Sequence, residues 1–277
     1  MRFIFLLIAV LLPSLAHAEA QVATINGARI SYEVCGDPKA QGVVLLHDGL
    51  VNSAIWDGVW PGLCEKFRVV RYDRRGYGKS PQTVHGHFPT DDLLGVMKEA
   101  GLSHAHLIGA SAGAGIAIDF VFDQPEAVDK LVLVAPSVSG FTVTDAFMGR
   151  LRTLDEVIAT GDMDKIVAAL KADPWFIPSR DAAAQKKLET IVRASPGDLG
   201  AHPFQRRPAN VAQRLGEIYA PTLVLIGSND HDYTQAMAAA IGQRMRAAQV
   251  RMMLGAGYFP YLENPIGFVD VVTQFLQ

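Results

Sequence analysis

Apolar residues in this chain fall into short runs of strand length, separated by longer stretches whose apolar positions recur at helical spacing. The short runs occupy residues 22–25, 30–34, 43–46, 69–72, 106–108, 131–134, 222–226 and, more weakly, 250–253. Val43-Val44-Leu45-Leu46 is apolar without alternation, as a strand covered on both faces requires. Asn26-Gly27 between the first two runs is a hairpin-turn dipeptide. Helical stretches intervene, such as residues 91–100, which Gly101 stops. Strand and helix in alternation predict an α/β fold, a mostly parallel sheet flanked by helices.

The rhythm breaks between residues 136 and 220, where the spacing predicts helices over 145–160, 163–172 and 182–194 and no buried strand. Gly161-Asp162, Pro174 and Pro196-Gly197 separate them. A helical insertion between two core strands is expected to form a lid. Its Trp175, Phe176 and Phe204 are expected either to line a substrate pocket from above or to seat the lid on the core.

At the N-terminus, Arg2, the apolar run 3–12, Pro13 and the small-x-small pattern Ala16-His17-Ala18 read as a cleaved secretory signal. A run of about ten apolar residues is too short for a bilayer, which needs roughly 20. The expected division is therefore a signal peptide over 1–18, a core over 19–136 and 220–277, and the lid over 137–219. The mature chain is expected to be periplasmic or secreted, with no membrane association after cleavage.

Hydrophobic residues make up 49% of the chain and the formal charge is −3. With no dense basic cluster, this argues against nucleic acid or an anionic membrane as main partner and leaves a small-molecule substrate. Arg206-Arg207 reads as a solvated face. Cys35 and Cys64 lie in no metal-type spacing. An exported chain allows a bridge between them, but two separately buried thiols are the expectation. No metal or other cofactor is implied, and nothing in the sequence bears on oligomeric state.

The strongest local signal is Gly109-Ala110-Ser111-Ala112-Gly113, which follows the run 106–108 and precedes a helical stretch over 114–122. Strand, tight turn and helix are the context in which Gly-x-Ser-x-Gly exposes a nucleophilic hydroxyl. The helix start directs N–H groups and partial positive charge at a developing anion. Further pieces are His47-Asp48-Gly49 after the run 43–46, with Trp56 beyond it, and Gly227-Ser228-Asn229-Asp230 after the run 222–226. The last is Gly255-Ala256-Gly257-Tyr258-Phe259-Pro260, followed by Glu263-Asn264-Pro265.

Together these segments resemble the α/β-hydrolase superfamily, in its lidded serine esterase, lactonase and C–C hydrolase-like branch, over most of the mature chain. The resemblance implies the α/β-hydrolase fold with Ser111 as nucleophile and Asp230 as the triad carboxylate. Asp232 fits the acid position less well. It also implies an oxyanion hole from the N–H groups of Gly49 and Ala112, usually the largest electrostatic contribution to acyl transfer. Asp48 stands where the family commonly has glycine and is expected to cap its turn. The segment 72–80 is expected to be scaffold, with Asp73 bonding the turn and Arg74 pairing locally.

One position departs from the pattern, because the slot of the catalytic histidine holds Tyr258. A phenol with an ordinary pKa of about 10 is neutral at physiological pH and a poor base. Neither His231, adjacent to Asp230, nor His202 in the lid is well placed as a replacement, and His47 is expected to brace its own turn. Two functions are compatible with these residues. One is a serine hydrolase of small esters, lactones or related acyl compounds, impaired by Tyr258. The other is a non-catalytic small-molecule-binding protein on the same fold.

Overall fold

The computed structural model describes residues 20–173, 181–199 and 204–277. Its strands are β1 (Gln21–Ile25), β2 (Ala28–Cys35), β3 (Gly42–Leu46), β4 (Arg68–Tyr72), β5 (Ala105–Ala110), β6 (Val128–Val134), β7 (Thr222–Gly227) and β8 (Ala248–Met253). They form an eight-stranded sheet in the order β1-β2-β4-β3-β5-β6-β7-β8. β2 runs antiparallel to β1 and β4, and every pairing from β4 to β8 is parallel. Helices α1 (Trp60–Cys64), α2 (Pro89–Glu99) and α3 (Ala112–Asp123) connect the first half of the sheet. In the second half lie α4 (Asp145–Ala159), α5 (Met163–Ala172), α6 (Ala182–Ala194), α7 (Val211–Arg214), α8 (Asp232–Arg244), α9 (Pro260–Glu263) and α10 (Pro265–Leu276).

Both faces of the sheet are covered. Val44, Leu46, Leu107, Leu133 and Val224 pack against Leu93 of α2, Ile116 and Phe120 of α3 and Ile241 of α8. Their strand neighbours Val43, Leu45, Ile108, Val132 and Leu225 point the other way, toward Leu63 of α1 and Phe268 and Val272 of α10. That alternation is the period-two geometry of a strand buried on both sides. Each such side chain contributes about 1.5–3 kcal/mol of burial, so many share the work of seating the central strands.

Between β6 and β7 the described residues hold helices and no strand, apart from an isolated bridge between His87 and Gln205. The helices begin where the sequence offers caps. Thr144 accepts from the N–H of Phe147, Asp162 from Asp164 and Lys165, and Asp181 from Ala184. The insertion is tied to the core through Asp198, whose Oδ1 accepts from the Gly78 N–H at 2.7 Å. Asn52 donates to Asp198 Oδ2 at 2.9 Å and to Ser195 Oγ at 3.0 Å. Burial and the nearby charge of Asp73 push the Asp198 carboxyl up to about 6, although the Gly78 and Asn52 donors and the charge of Arg74 oppose this.

Two expectations are corrected here. Cys35 and Cys64 are not separate thiols; they form a disulfide with a Cα–Cα distance of 5.5 Å. The end of β2 lies beside the end of α1 because Gly36, at φ +82°, lets the Phe67 carbonyl approach where a Cβ would collide. Of the pair Arg206-Arg207, Arg206 is exposed as expected, but Arg207 is not a solvated side chain. Arg207 donates to Asp119 Oδ2 at 2.7 Å, and Asp119 is buried on α3. A buried carboxylate needs a counter-charge, and Gly115, one turn earlier on α3, leaves room for the guanidinium. The segment read as a signal peptide, together with Trp175, Phe176 and His202, lies outside the described residues. Among the described residues no helix is long and apolar enough to cross a membrane, and no group of His, Cys, Asp or Glu is arranged to hold a metal ion.

Candidate active site

Four loops leave the C-terminal ends of parallel strands on one edge of the sheet, the edge at which sites form in open α/β sheets. Gly49 follows β3, Ser111 follows β5, Asp230 follows β7 and Tyr258 follows β8.

The β5–α3 turn is sharp. Ser111 has φ 48° and ψ −109°, a conformation that L residues with a side chain rarely adopt. Its N–H donates to the Val134 carbonyl at 2.8 Å, and its carbonyl accepts from Gly115 at 3.0 Å and Ser137 at 3.2 Å. These bonds hold the strained residue in place. The flanking glycines are required by close approach. A Cβ on Gly109 would meet the Ala114 backbone at 2.6 Å, and one on Gly113 would strike the Leu46 and His47 carbonyls. Ala112 opens α3 with no side-chain cap, so its N–H is one of the first-turn donors that lack an intrahelical acceptor.

Gly49 faces that helix start: a Cβ built on it would lie 3.6 Å from the Ala112 methyl. Its peptide is oriented by Tyr77, whose hydroxyl donates to the Gly49 carbonyl at 3.2 Å. Asp48 caps the turn, as expected. Its Oδ1 accepts from the Leu50 N–H at 2.6 Å, and Oδ2 accepts from the Tyr261 hydroxyl at 3.4 Å. Burial pushes the Asp48 carboxyl up to about 6, against the opposing pull of the Leu50 and Val51 N–H groups, the Arg74 charge and the Tyr261 hydroxyl. His47 also braces this loop. Its Nε2 accepts from the Arg74 N–H at 3.0 Å, which places the proton on Nδ1, 2.8 Å from the Asp48 carbonyl. Arg74 donates to the same carbonyl at 2.6 Å, and Asp73 accepts from Ser53 and Lys79.

The Asp230 and Tyr258 loops are stitched together. Asn229 N–H donates to the Ala256 carbonyl at 2.9 Å, and Asn229 Nδ2 to the Gly255 carbonyl at 3.1 Å. Glu263 accepts from the Gly257 N–H at 2.9 Å, which fixes the peptide just before Tyr258. Asp230 is buried and takes the His231 N–H at 2.7 Å on Oδ1, whereas Asp232 is exposed at the start of α8. The Tyr258 phenol is buried and hydrogen-bonded to the Ser111 side chain. Burial raises its pKa well above the ordinary tyrosine value, and the charges of Asp48 and Asp230 add to the rise; the Ser111 hydrogen bond and Arg74 only partly offset it. Tyr258 is therefore a neutral phenol beside Ser111, able to donate or accept a hydrogen bond but not to remove a proton near neutrality.

Ser111 and Tyr258 open onto a cavity of about 320 Å³, lined also by Gly49, Leu50, Ala135 and Val138. One wall comes from the α4 residues Phe147, Met148, Leu151 and Leu154, and another from Tyr233, Thr234 and Met237 of α8. The α4 residues escaped the sequence reading, although their spacing on a helix 145–159 marks a single face. Phe204 is not among the described lining residues; its carbonyl instead accepts from the His87 N–H at 3.0 Å. His231 does not line the cavity. Its Nδ1 accepts from the Tyr233 N–H at 3.0 Å to cap α8, and its ring lies edge-on to Phe147.

A family model described as the alpha/beta hydrolase family matches residues 43–271. A Caulobacter vibrioides protein named as a candidate carbamate hydrolase, RutD, is 37% identical over 269 residues, spanning 92% of this chain and 97% of its own. Among solved structures, the esterase EaEST from Exiguobacterium antarcticum superposes with a TM-score of 0.79 at 21% identity, covering 93% of this chain and 99% of that one. The enol-lactonase from Burkholderia xenovorans LB400 superposes at 0.78 with 20% identity, covering 92% and 99%. With a family model spanning most of its length and a relative at this identity, the chain belongs to the alpha/beta hydrolase family.

Proposed function

We propose that this protein is a serine hydrolase of small carboxylic esters, lactones or related acyl compounds, acting slowly through an acyl-enzyme on Ser111. The observation that carries this reading is the strained Ser111, which lines a partly open cavity beside Gly49 and the start of α3. In the proposed reaction Ser111 Oγ adds to the substrate carbonyl, and the N–H groups of Gly49 and Ala112 receive the oxyanion. The serine proton leaves to hydroxide, because the neutral Tyr258 phenol has no capacity for it. Collapse expels the alcohol, and water then releases the acid. Asp230, which would steady a histidine at position 258, here faces a tyrosine.

The helical insertion serves as the lid, with α4 as its inner wall. The Cys35–Cys64 bridge supports an exported, periplasmic or secreted protein, since such bridges persist in oxidising compartments. A second reading, a binding protein without turnover, is favoured by the buried neutral phenol at 258.

Hydrolysis of p-nitrophenyl butyrate, with fluorophosphonate labelling in parallel, separates the two readings. The wild type is expected to turn over slowly and to label, and Ser111→Ala to do neither. Tyr258→His is expected to raise kcat/KM by at least about 10²-fold, the lower end of general-base contributions. Absence of both turnover and labelling in wild type and Tyr258→His alike would leave the binding reading standing.

A further inference from the structure

We propose that the Ser111 cavity selects uncharged, hydrocarbon-rich acyl groups and rejects acyl groups that end in a carboxylate. This rests on the reading of the site as the acyl-binding site, and it goes further by naming what enters.

Three observations support it. First, the α4 wall presents Phe147, Met148, Leu151 and Leu154, and α8 faces it with Met237; among the described lining residues there is no lysine, arginine or histidine. A carboxylate carried against such a wall loses part of its water and gains no counter-charge from the described lining. The remaining polar groups are hydroxyls, on Ser111, Ser137, Tyr233, Thr234 and Tyr258, which suit an ester carbonyl and ether oxygen better than a full charge. Second, away from the oxyanion donors at the start of α3, the Tyr258 side of the site is unfavourable to anions. Asp48 and Asp230, which are not among the described lining residues, are close enough to Tyr258 to disfavour its phenolate, and Arg74 offsets them only in part. A ligand carboxylate in contact with Tyr258 adds a third negative charge to that group. Third, the wall is held in shape. The Phe147 and Tyr233 rings lie 4.3 Å apart at 30°, joining α4 to α8 at the cavity wall. At about 30 Å³ per non-hydrogen atom, a volume of about 320 Å³ accommodates roughly ten such atoms, an acyl chain of about four to eight carbons with its ester group.

The test compares kcat/KM for p-nitrophenyl hexanoate with that for the p-nitrophenyl monoester of glutaric acid, in each case after subtraction of the spontaneous hydrolysis, which the glutarate's own carboxylate accelerates. A preference of at least about 100-fold for hexanoate is expected, with turnover falling again at laurate, and Leu151→Arg is expected to narrow the preference by tenfold or more. Binding to Ser111→Ala, measured by calorimetry with methyl hexanoate and monomethyl glutarate, reads selectivity without chemistry and without the arginine variant. Methyl hexanoate is expected to bind at least tenfold more tightly. Equal kcat/KM for the two aryl esters, or equal binding of the two methyl esters, overturns the proposal while leaving hydrolysis intact. Selective binding with no turnover of any ester retains the proposal and removes the hydrolase reading. No binding of methyl hexanoate at all overturns it as well.

Discussion

Asp48 shows how a residue that caps a turn also sets a dependence on pH. It is fully buried, and burial pushes its pKa from the usual carboxylate range up to about 6, although the Leu50 and Val51 N–H groups, the Arg74 charge and the Tyr261 hydroxyl oppose this. Between about pH 4 and pH 6 the folded protein keeps a proton that the unfolded chain has released, so Asp48 makes stability fall as pH rises through that window. Asn keeps the acceptor for Leu50 and removes the charge. Asp48→Asn is therefore expected to be more stable than wild type at pH 7.5, by an amount on the order of 2 kcal/mol, with the difference vanishing below pH 4 in urea unfolding curves. That Asp48 caps its turn is legible from its place after the strand run. Its raised pKa is not, because Tyr261 and Arg74 reach it only through the fold. Tyr258 follows the same rule: its identity and slot are visible in the sequence, but its burial against Asp48 and Asp230 is not.

Strands and helices were the most readable part of this chain, since runs buried on both faces and helices with Thr or Asp caps carry their own signals. The three long helices of the insertion fall where the apolar spacing put them, to within a residue. Periodicity identifies a face but not its partner, so the α4 stripe could be recognised without revealing that it closes over Ser111. Aromatic content drew attention instead to Phe204, which pairs with the His87 segment. The Cys35–Cys64 bridge was hidden for a similar reason. Its half-cystines are 29 residues apart and meet only because β2 doubles back antiparallel to β4 beside the end of α1. A bridge closing a loop of that length stabilises by about 3.5 kcal/mol in the chain-entropy model. The double variant Cys35→Ser/Cys64→Ser is expected to lose about that much in urea unfolding, and dithiothreitol to produce the same loss in wild type but none in the variant.

Across the molecule, the sheet places the Gly49, Ser111, Asp230 and Tyr258 loops on one edge without supplying any described histidine at the cavity. The catalytic pH profile follows from that assembly. With no described side chain lining the cavity able to take the serine proton near neutrality, kcat/KM is expected to rise about tenfold per pH unit from 7 to 9 without a plateau. Tyr258→His is expected to introduce an inflection near pH 6–7, where imidazole titrates. A plateau in wild type near pH 7 would mean that another group takes the proton.

The stability of the whole fold also bears on the backbone of Ser111. At φ 48° and ψ −109° a side chain costs on the order of 1–3 kcal/mol that glycine would not incur. Ser111→Gly is therefore expected to raise the unfolding free energy by about 1 kcal/mol, and Ser111→Ala to leave it nearly unchanged, with the greater flexibility of unfolded glycine trimming the first gain. Selection for durability alone would drive this position toward glycine. A serine kept there, beside a tyrosine that does not activate it, is a hydroxyl retained at the expense of a sturdier protein.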